Sequence, residues 1–167
     1  TSGCTSGCGT QSAPFPTIQG AINEANTLIA GGMATSANVL VAAGLYRERI
    51  FIFPDIHVTG AGASSTTIDA TGFARSAVIL ASGATGRPRR NFSIDGFTIT
   101  GGSGEVGVVV DSVAGGGMYI FGDAVVTNNV IESNGADFNA GGIGSWGHAS
   151  PRIANNLIKA NAATYDE

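Results

Sequence analysis

Arg87, Arg89 and Arg90 crowd three cations into four residues of a chain with only eight basic side chains. Guanidinium groups pair with carboxylates in a bidentate fork, so such a cluster suits an acidic polysaccharide. In a lyase it would neutralise the carboxylate beside the abstracted proton. The plainer reading is a solvated turn ahead of FSIDGFTI. Trp146 and His148 share the segment GGIGSWGHASP. An indole on a glycine-rich loop makes a platform for sugar rings, and an imidazole titrating near neutrality can act as a base. A histidine with no evident partner is more often surface decoration. Asp95, Glu105, Asp111, Asp123 and Asp137 supply carboxylates that, paired on one outer face, would serve glycoside hydrolysis or bind calcium. Aspartates in such company more commonly cap turns.

Several motif matches carry no chemistry. Gly142, Gly144 and Gly147 fit the dinucleotide fingerprint, but Pro151 follows where a helix should begin. GGSGEV and GGIGSW open like calcium-binding nonapeptides and lack the aspartate. Asn91-Phe92-Ser93 is a glycosylation sequon without further context. Cys4 and Cys8 lack the companion ligands of a zinc site. They remain either a local disulfide of an oxidising compartment, the favoured reading, or two free thiols.

The elements that would position these residues follow from composition and periodicity. The chain has 167 residues, 26 of them glycine, is 43% apolar, and carries a net charge of −4. Charge is about half and glycine about double what an ordinary domain holds. Such a chain can fold, which excludes an acidic disordered segment, and it is not basic enough to bind nucleic acid by neutralising phosphates. No apolar run approaches the ~20 residues that span a bilayer. Over Phe15–Ile29 the apolar residues Ile18, Ala21, Ile22, Ala25, Leu28 and Ile29 mark one helix face, with Thr17 as a cap and Gly31-Gly32 as the stop. From Asn38 onward short runs of Val, Ile and Phe recur between Gly, Asn, Ser and Asp, which predicts many short strands.

The strands repeat. Val126-Thr-Asn-Asn-Val-Ile-Glu-Ser-Asn134 returns 27 residues later as Ile153-Ala-Asn-Asn-Leu-Ile-Lys-Ala-Asn161, and the stretch from Ile94 to Gly102 fits the same frame. Gly115-Gly-Gly-Met and Ala140-Gly-Gly-Ile recur 25 residues apart. A unit of about 25 to 30 residues built from four-residue strands is the signature of a parallel β-solenoid. Asparagine tolerates the left-handed corners such a coil needs. Stacking would place Asn128 over Asn155, Asn129 over Asn156 and Asn134 over Asn161, in amide ladders. The expected fold is all-β: a right-handed single-stranded parallel β-helix with an N-terminal capping α-helix. Residues 1–14 form a tail holding Cys4 and Cys8, 15–32 the capping helix, and 38–167 about five coils.

PFPTIQGAINEAN, VLVAAGLYRERI and IHVTGAGASSTTIDA together resemble the opening of right-handed parallel β-helix proteins of the pectin-lyase-like superfamily, nearest to pectinesterase-like and β-helix-repeat secreted proteins. The resemblance implies that the helix covers the open end of the solenoid through Ile18, Ile22 and Leu28. It implies that Gly44, Tyr46 and Glu48 follow the first core strand and that Thr59 to Gly62 close a coil. It is specific for fold and poor for activity. Gly86-Arg87-Pro88 is followed by Arg89 rather than Trp, and no Q-D segment occurs, so a pectinesterase active site is not carried over.

The functional expectation is a secreted or cell-surface β-helix scaffold with a structural, adhesive or glycan-binding role. The alternative is part of a polysaccharide lyase or hydrolase acting on uronate-rich polymers. The glycan-binding candidates are Arg87, Arg89, Arg90, Trp146 and His148, no catalytic set is assigned, and no metal or cofactor is expected, calcium lacking a supporting motif. The chain reads as the front part of a longer protein, or as a unit that docks through an uncapped last coil; nucleic acid and a membrane span are not expected.

Overall fold

A computed structural model describes residues 8–81, 91–106, 113–137, 139–146 and 150–164. Among the described residues the single helix, α1 (Ile18–Ala30), starts where Thr17, in an extended conformation, accepts a hydrogen bond from the Gly20 N–H at 3.0 Å. It ends at Gly31, and Gly32 follows with φ 72°. Ile18, Ile22 and Ala25 are buried against the strands, with Ala21 and Ile29 packed beside them. Leu28 is a correction to expectation: it is not part of this core, and Ala25 and Ile29 take its place.

The chain then passes through three parallel sheets in fixed rotation. The first turn is β1 (Ala37–Val41), β2 (Gly44–Tyr46) and β3 (Ile50–Ile52); the second is β4 (Ile56–Gly60), β5 (Thr66–Asp69) and β6 (Val78–Ala81). The third is β7 (Phe92–Asp95) and β8 (Thr98–Thr100), then an antiparallel pair, β9 (Glu105–Val106) and β10 (Val113–Ala114), then β11 (Met118–Phe121). The fourth is β12 (Ala124–Thr127), β13 (Val130–Glu132), β14 (Gly135–Ala136) and β15 (Ile143–Ser145); the last is β16 (Arg152–Ala154), β17 (Leu157–Lys159) and β18 (Ala162–Ala163). The first sheet runs β1-β4-β7-β12-β16, the second β2-β5-β8-β13-β17 and the third β3-β6-β11-β15. Among the described residues the architecture is mostly parallel β with one helix, compatible with a parallel β-helix.

Register shows why the sequence stacks. Ala37 pairs with Ile56, His57 with Ser93, Ser93 with Val125 and Val125 with Arg152, so successive turns take 19, 36, 32 and 27 residues. Their unequal lengths do not shift the inner columns. Val39, Val58, Ile94 and Val126 form one buried column, Ile68, Ile99 and Ile131 a second, and Ile50, Val78 and Met118 a third. Alternation along each strand sends the intervening residues outward.

Corners repeat as strictly as strands. Gly96, Asn128 and Asn155 occupy equivalent positions with φ 78°, 56° and 57°, and Gly101, Ser133 and Ala160 do so with φ 74°, 55° and 51°. Each of these left-handed residues immediately precedes an inward one. Asn129 and Asn134, almost fully buried, turn their amides along the stack. Asn156 Oδ1 accepts from the Asn129 N–H at 2.9 Å and Nδ2 at 3.1 Å; Asn161 Oδ1 accepts from the Asn134 N–H at 3.1 Å and Nδ2 at 2.9 Å. Asn128 and Asn155 do not continue the ladder, contrary to expectation. Their left-handed backbone points them away from it, and Asn128 Nδ2 donates to Asp95 Oδ2 at 2.6 Å. In each Asn-Asn pair the first residue makes the corner and the second makes the ladder.

Thr59 to Gly62 also differ from expectation: this stretch leads from β4 toward β5, joining two sheets within one turn rather than closing it.

Candidate functional site

The aromatic site forms on the third sheet. In β11, Met118 and Ile120 occupy inner columns, and Tyr119 lies between them in the outer row Phe51–Ile79–Tyr119–Gly144. Gly144 has no side chain, and the Trp146 indole folds back over it; a Cβ there would collide with the ring. The indole stacks on Tyr119 with centroids 4.8 Å apart and planes inclined by 11°. Tyr119 is only 5% exposed, whereas Trp146 keeps part of its surface open. Phe51 and Phe53 make a second aromatic contact at 4.7 Å at the other edge of this sheet. A flat, partly exposed ring held by a second ring suits the apolar face of a sugar.

The outer rows of the other sheets use their polar groups on one another. His57 Nδ1 and Ser93 Oγ, directly opposite in register, are 3.0 Å apart. The Thr127 hydroxyl donates to Asp95 Oδ2 at 2.5 Å, beside the Asn128 amide. Thr71 hydrogen-bonds the Asp69 carboxylate and holds it below the usual carboxylate range. Asp123 Oδ1 accepts from the Ser150 N–H at 2.8 Å, a bond between segments 27 residues apart. Among the described residues, no three or more His, Cys, Asp or Glu side chains group together to hold a metal ion.

A third polar constellation fastens the helix. Glu48 Oε1 and Oε2 accept from the Ile18 and Gln19 N–H groups, each at 2.9 Å, so a carboxylate meets the positive end of α1. Gln19 Oε1 accepts from the Phe51 N–H at 2.6 Å and its Nε2 donates to the Phe51 carbonyl at 3.3 Å. The side-chain amide thus bonds the edge of β3 as a neighbouring strand would. Tyr46, whose hydroxyl donates to the Ala42 carbonyl at 2.9 Å, is held above its ordinary pKa by burial and, secondarily, by the charge of Glu48.

Of the residues singled out by sequence, Trp146 enters a defined arrangement. Arg87, Arg89, Arg90, His148 and Cys4 lie outside the described residues, as does Asp111. Cys8 is not a free thiol. Tyr119, Glu48 and Gln19 have site roles that sequence reasoning missed. A signal for Tyr119 existed: superposing the two Gly-Gly units 25 residues apart sets Tyr119 against Gly144, the register observed. Nothing local marks Gln19, because its partner is a backbone group 32 residues away.

No protein-family model matches the chain, and no curated protein matches it. Among the described residues no helix is long and apolar enough to cross a membrane.

Proposed function

We propose that the chain is a right-handed single-stranded parallel β-helix, of the kind found in the pectin-lyase-like superfamily, acting as a secreted or cell-surface scaffold that binds glycan on its third sheet. The stacked Tyr119–Trp146 pair carries this reading. It is an aromatic platform that the strand register builds and Gly144 makes room for. The cyclic path through three parallel sheets and the asparagine ladder support the fold. A Cys4–Cys8 disulfide, in keeping with the absence of a free thiol at Cys8, fits an oxidising compartment. Arg87, Arg89 and Arg90 would favour uronate-bearing polymers over neutral ones.

Trp146 is the only tryptophan, so its fluorescence reports directly on the platform. Titration of the native chain with uronate-rich and neutral polysaccharides should give saturable quenching by an acidic polymer, and calorimetric titration should show that affinity weakened at least about tenfold in Trp146→Ala and less in Trp146→Phe. Binding unchanged in Trp146→Ala would refute the platform. Release of unsaturated products or reducing ends, abolished by Arg89→Ala or His148→Ala, would replace the scaffold with a lyase or hydrolase.

A further inference from the structure

Asn91-Phe92-Ser93 is the one place in this chain where an asparagine is followed, two residues on, by a serine or threonine. Such a triplet can take an oligosaccharide on the asparagine side chain, provided the finished fold leaves the sugar in solvent. The fold meets that demand. In β7, Phe92 and Ile94 are completely buried while Ser93 alternates outward, and Asn91, one residue ahead of the strand, is exposed. Its main chain is fixed, because the Asp55 N–H donates to the Asn91 carbonyl at 2.8 Å. The Ser93 hydroxyl stands on the outer face of the first sheet, 3.0 Å from His57 Nδ1.

Other asparagines are committed to the fold itself. Asn129, Asn134, Asn156 and Asn161 spend their amides on the ladder, and Asn128 bonds Asp95. A sugar on any of these would break a bond that joins successive turns. Asn91 takes part in neither the ladder nor its corners. The position of β7 also sets the timing. It pairs with β4 on one edge and β12 on the other, so the triplet is free for a transferase to grip before these strands stack and is locked afterwards. A sugar added then would emerge beside the first sheet, whereas the Trp146 indole lies over the third.

We propose that Asn91 is an N-glycosylation site, modified before β7 is enclosed. Its Nδ2 attacks the anomeric carbon of an oligosaccharide carried on a lipid pyrophosphate. The new C–N bond forms as the bond from that carbon to the pyrophosphate oxygen breaks, and one Nδ2 proton passes to a base of the transferase. The proposal rests on the secreted part of the reading above.

Secretion of the full chain from a eukaryotic host, behind that host's signal sequence, tests this by intact mass, read on chain from the lumen and the medium alike. Most of the chain should carry one glycan, which peptide-N-glycosidase removes to leave an aspartate at position 91. Asn91→Gln and Ser93→Ala should each abolish the added mass, and Ser93→Thr should keep it. Ser93→Ala also deletes the partner of His57, so Asn91→Gln and Ser93→Thr carry the decision. A chain without added mass, or a peptide-N-glycosidase-sensitive glycan that survives Asn91→Gln, overturns the proposal. A glycosylated chain whose Trp146 fluorescence no acidic polymer quenches would instead defeat the glycan-binding platform and leave the Asn91 site standing.

Discussion

At the end of the stack formed by β1, β2 and β3, a helix lies over the sheets; at the opposite end, β16, β17 and β18 leave Ile153, Leu157 and Ile158 half exposed. Both ends pose one problem, since a terminal turn has apolar columns and strand edges with nothing beyond them. The covered end solves the two parts with different residues. Ile18, Ile22 and Ala25 close the apolar columns, while Gln19 bonds the β3 edge and Glu48 holds the helix by its N-terminus. An amphipathic helix alone would bury the columns and leave the edge unpaired. What distinguishes a cap from a mere lid is this borrowed strand pairing.

Truncating the same residue type at both ends should give the largest contrast. Ile22→Ala, at a fully buried site, is expected to cost about 3 kcal/mol in urea unfolding, and Ile158→Ala about 1 kcal/mol or less. Comparable costs at both ends would mean that the last turn is covered in solution.

The ladder offers the next contrast. Asn129→Ala would strand the Phe97 N–H and the Ile94 carbonyl inside the molecule, at about 2–3 kcal/mol. Asn156→Ala, part-exposed in the last turn, should lose about 1 kcal/mol. Equal losses would break the distinction between interior and end.

Glu48→Ala addresses the covered end alone. Losing both N–H partners is expected to cost about 1 kcal/mol, with exchange accelerating first at the Ile18 and Gln19 amides. The smallest effect belongs to Lys159→Ala. It deletes the 2.9 Å ion pair with Glu132 on the outer face, worth below about 0.5 kcal/mol because both partners are solvated. A larger loss there would show that outer-row pairs, and not only inner columns, hold the last turn.

Much of this was legible in the residues themselves. The spacing of Ile18, Ile22 and Ala25 located the helix, and the N-N-x-I-x-x-N repeat located the later turns, because both are short-range patterns. The first and second turns share no such repeat, and the turns range from 19 to 36 residues, so a single period could not capture them. The separate duties of Asn128 and Asn129 were hidden because identical residue types differ only in backbone φ. The aromatic platform was half visible: Trp146 stood out by rarity, but Tyr119 and Gly144 acquire meaning only through cross-strand register. Gln19 and Glu48 act across 29 to 32 residues, where sequence proximity offers no guide.

The unequal turn lengths carry one more consequence. Between the first and second sheets the corner is only Gly96-Phe97, Asn128-Asn129 or Asn155-Asn156 in the last three turns. Between the second and third sheets it grows from the short link joining β2 to β3 to the long excursion containing β9 and β10. In those last three turns the edge between the first and second sheets therefore behaves as a spine with no spare length, whereas the corner between the second and third sheets is a margin whose length varies without disturbing any column. Grafted peptides or epitope tags belong on that margin, whereas adding even one residue at the spine would turn a strand's inner face outward.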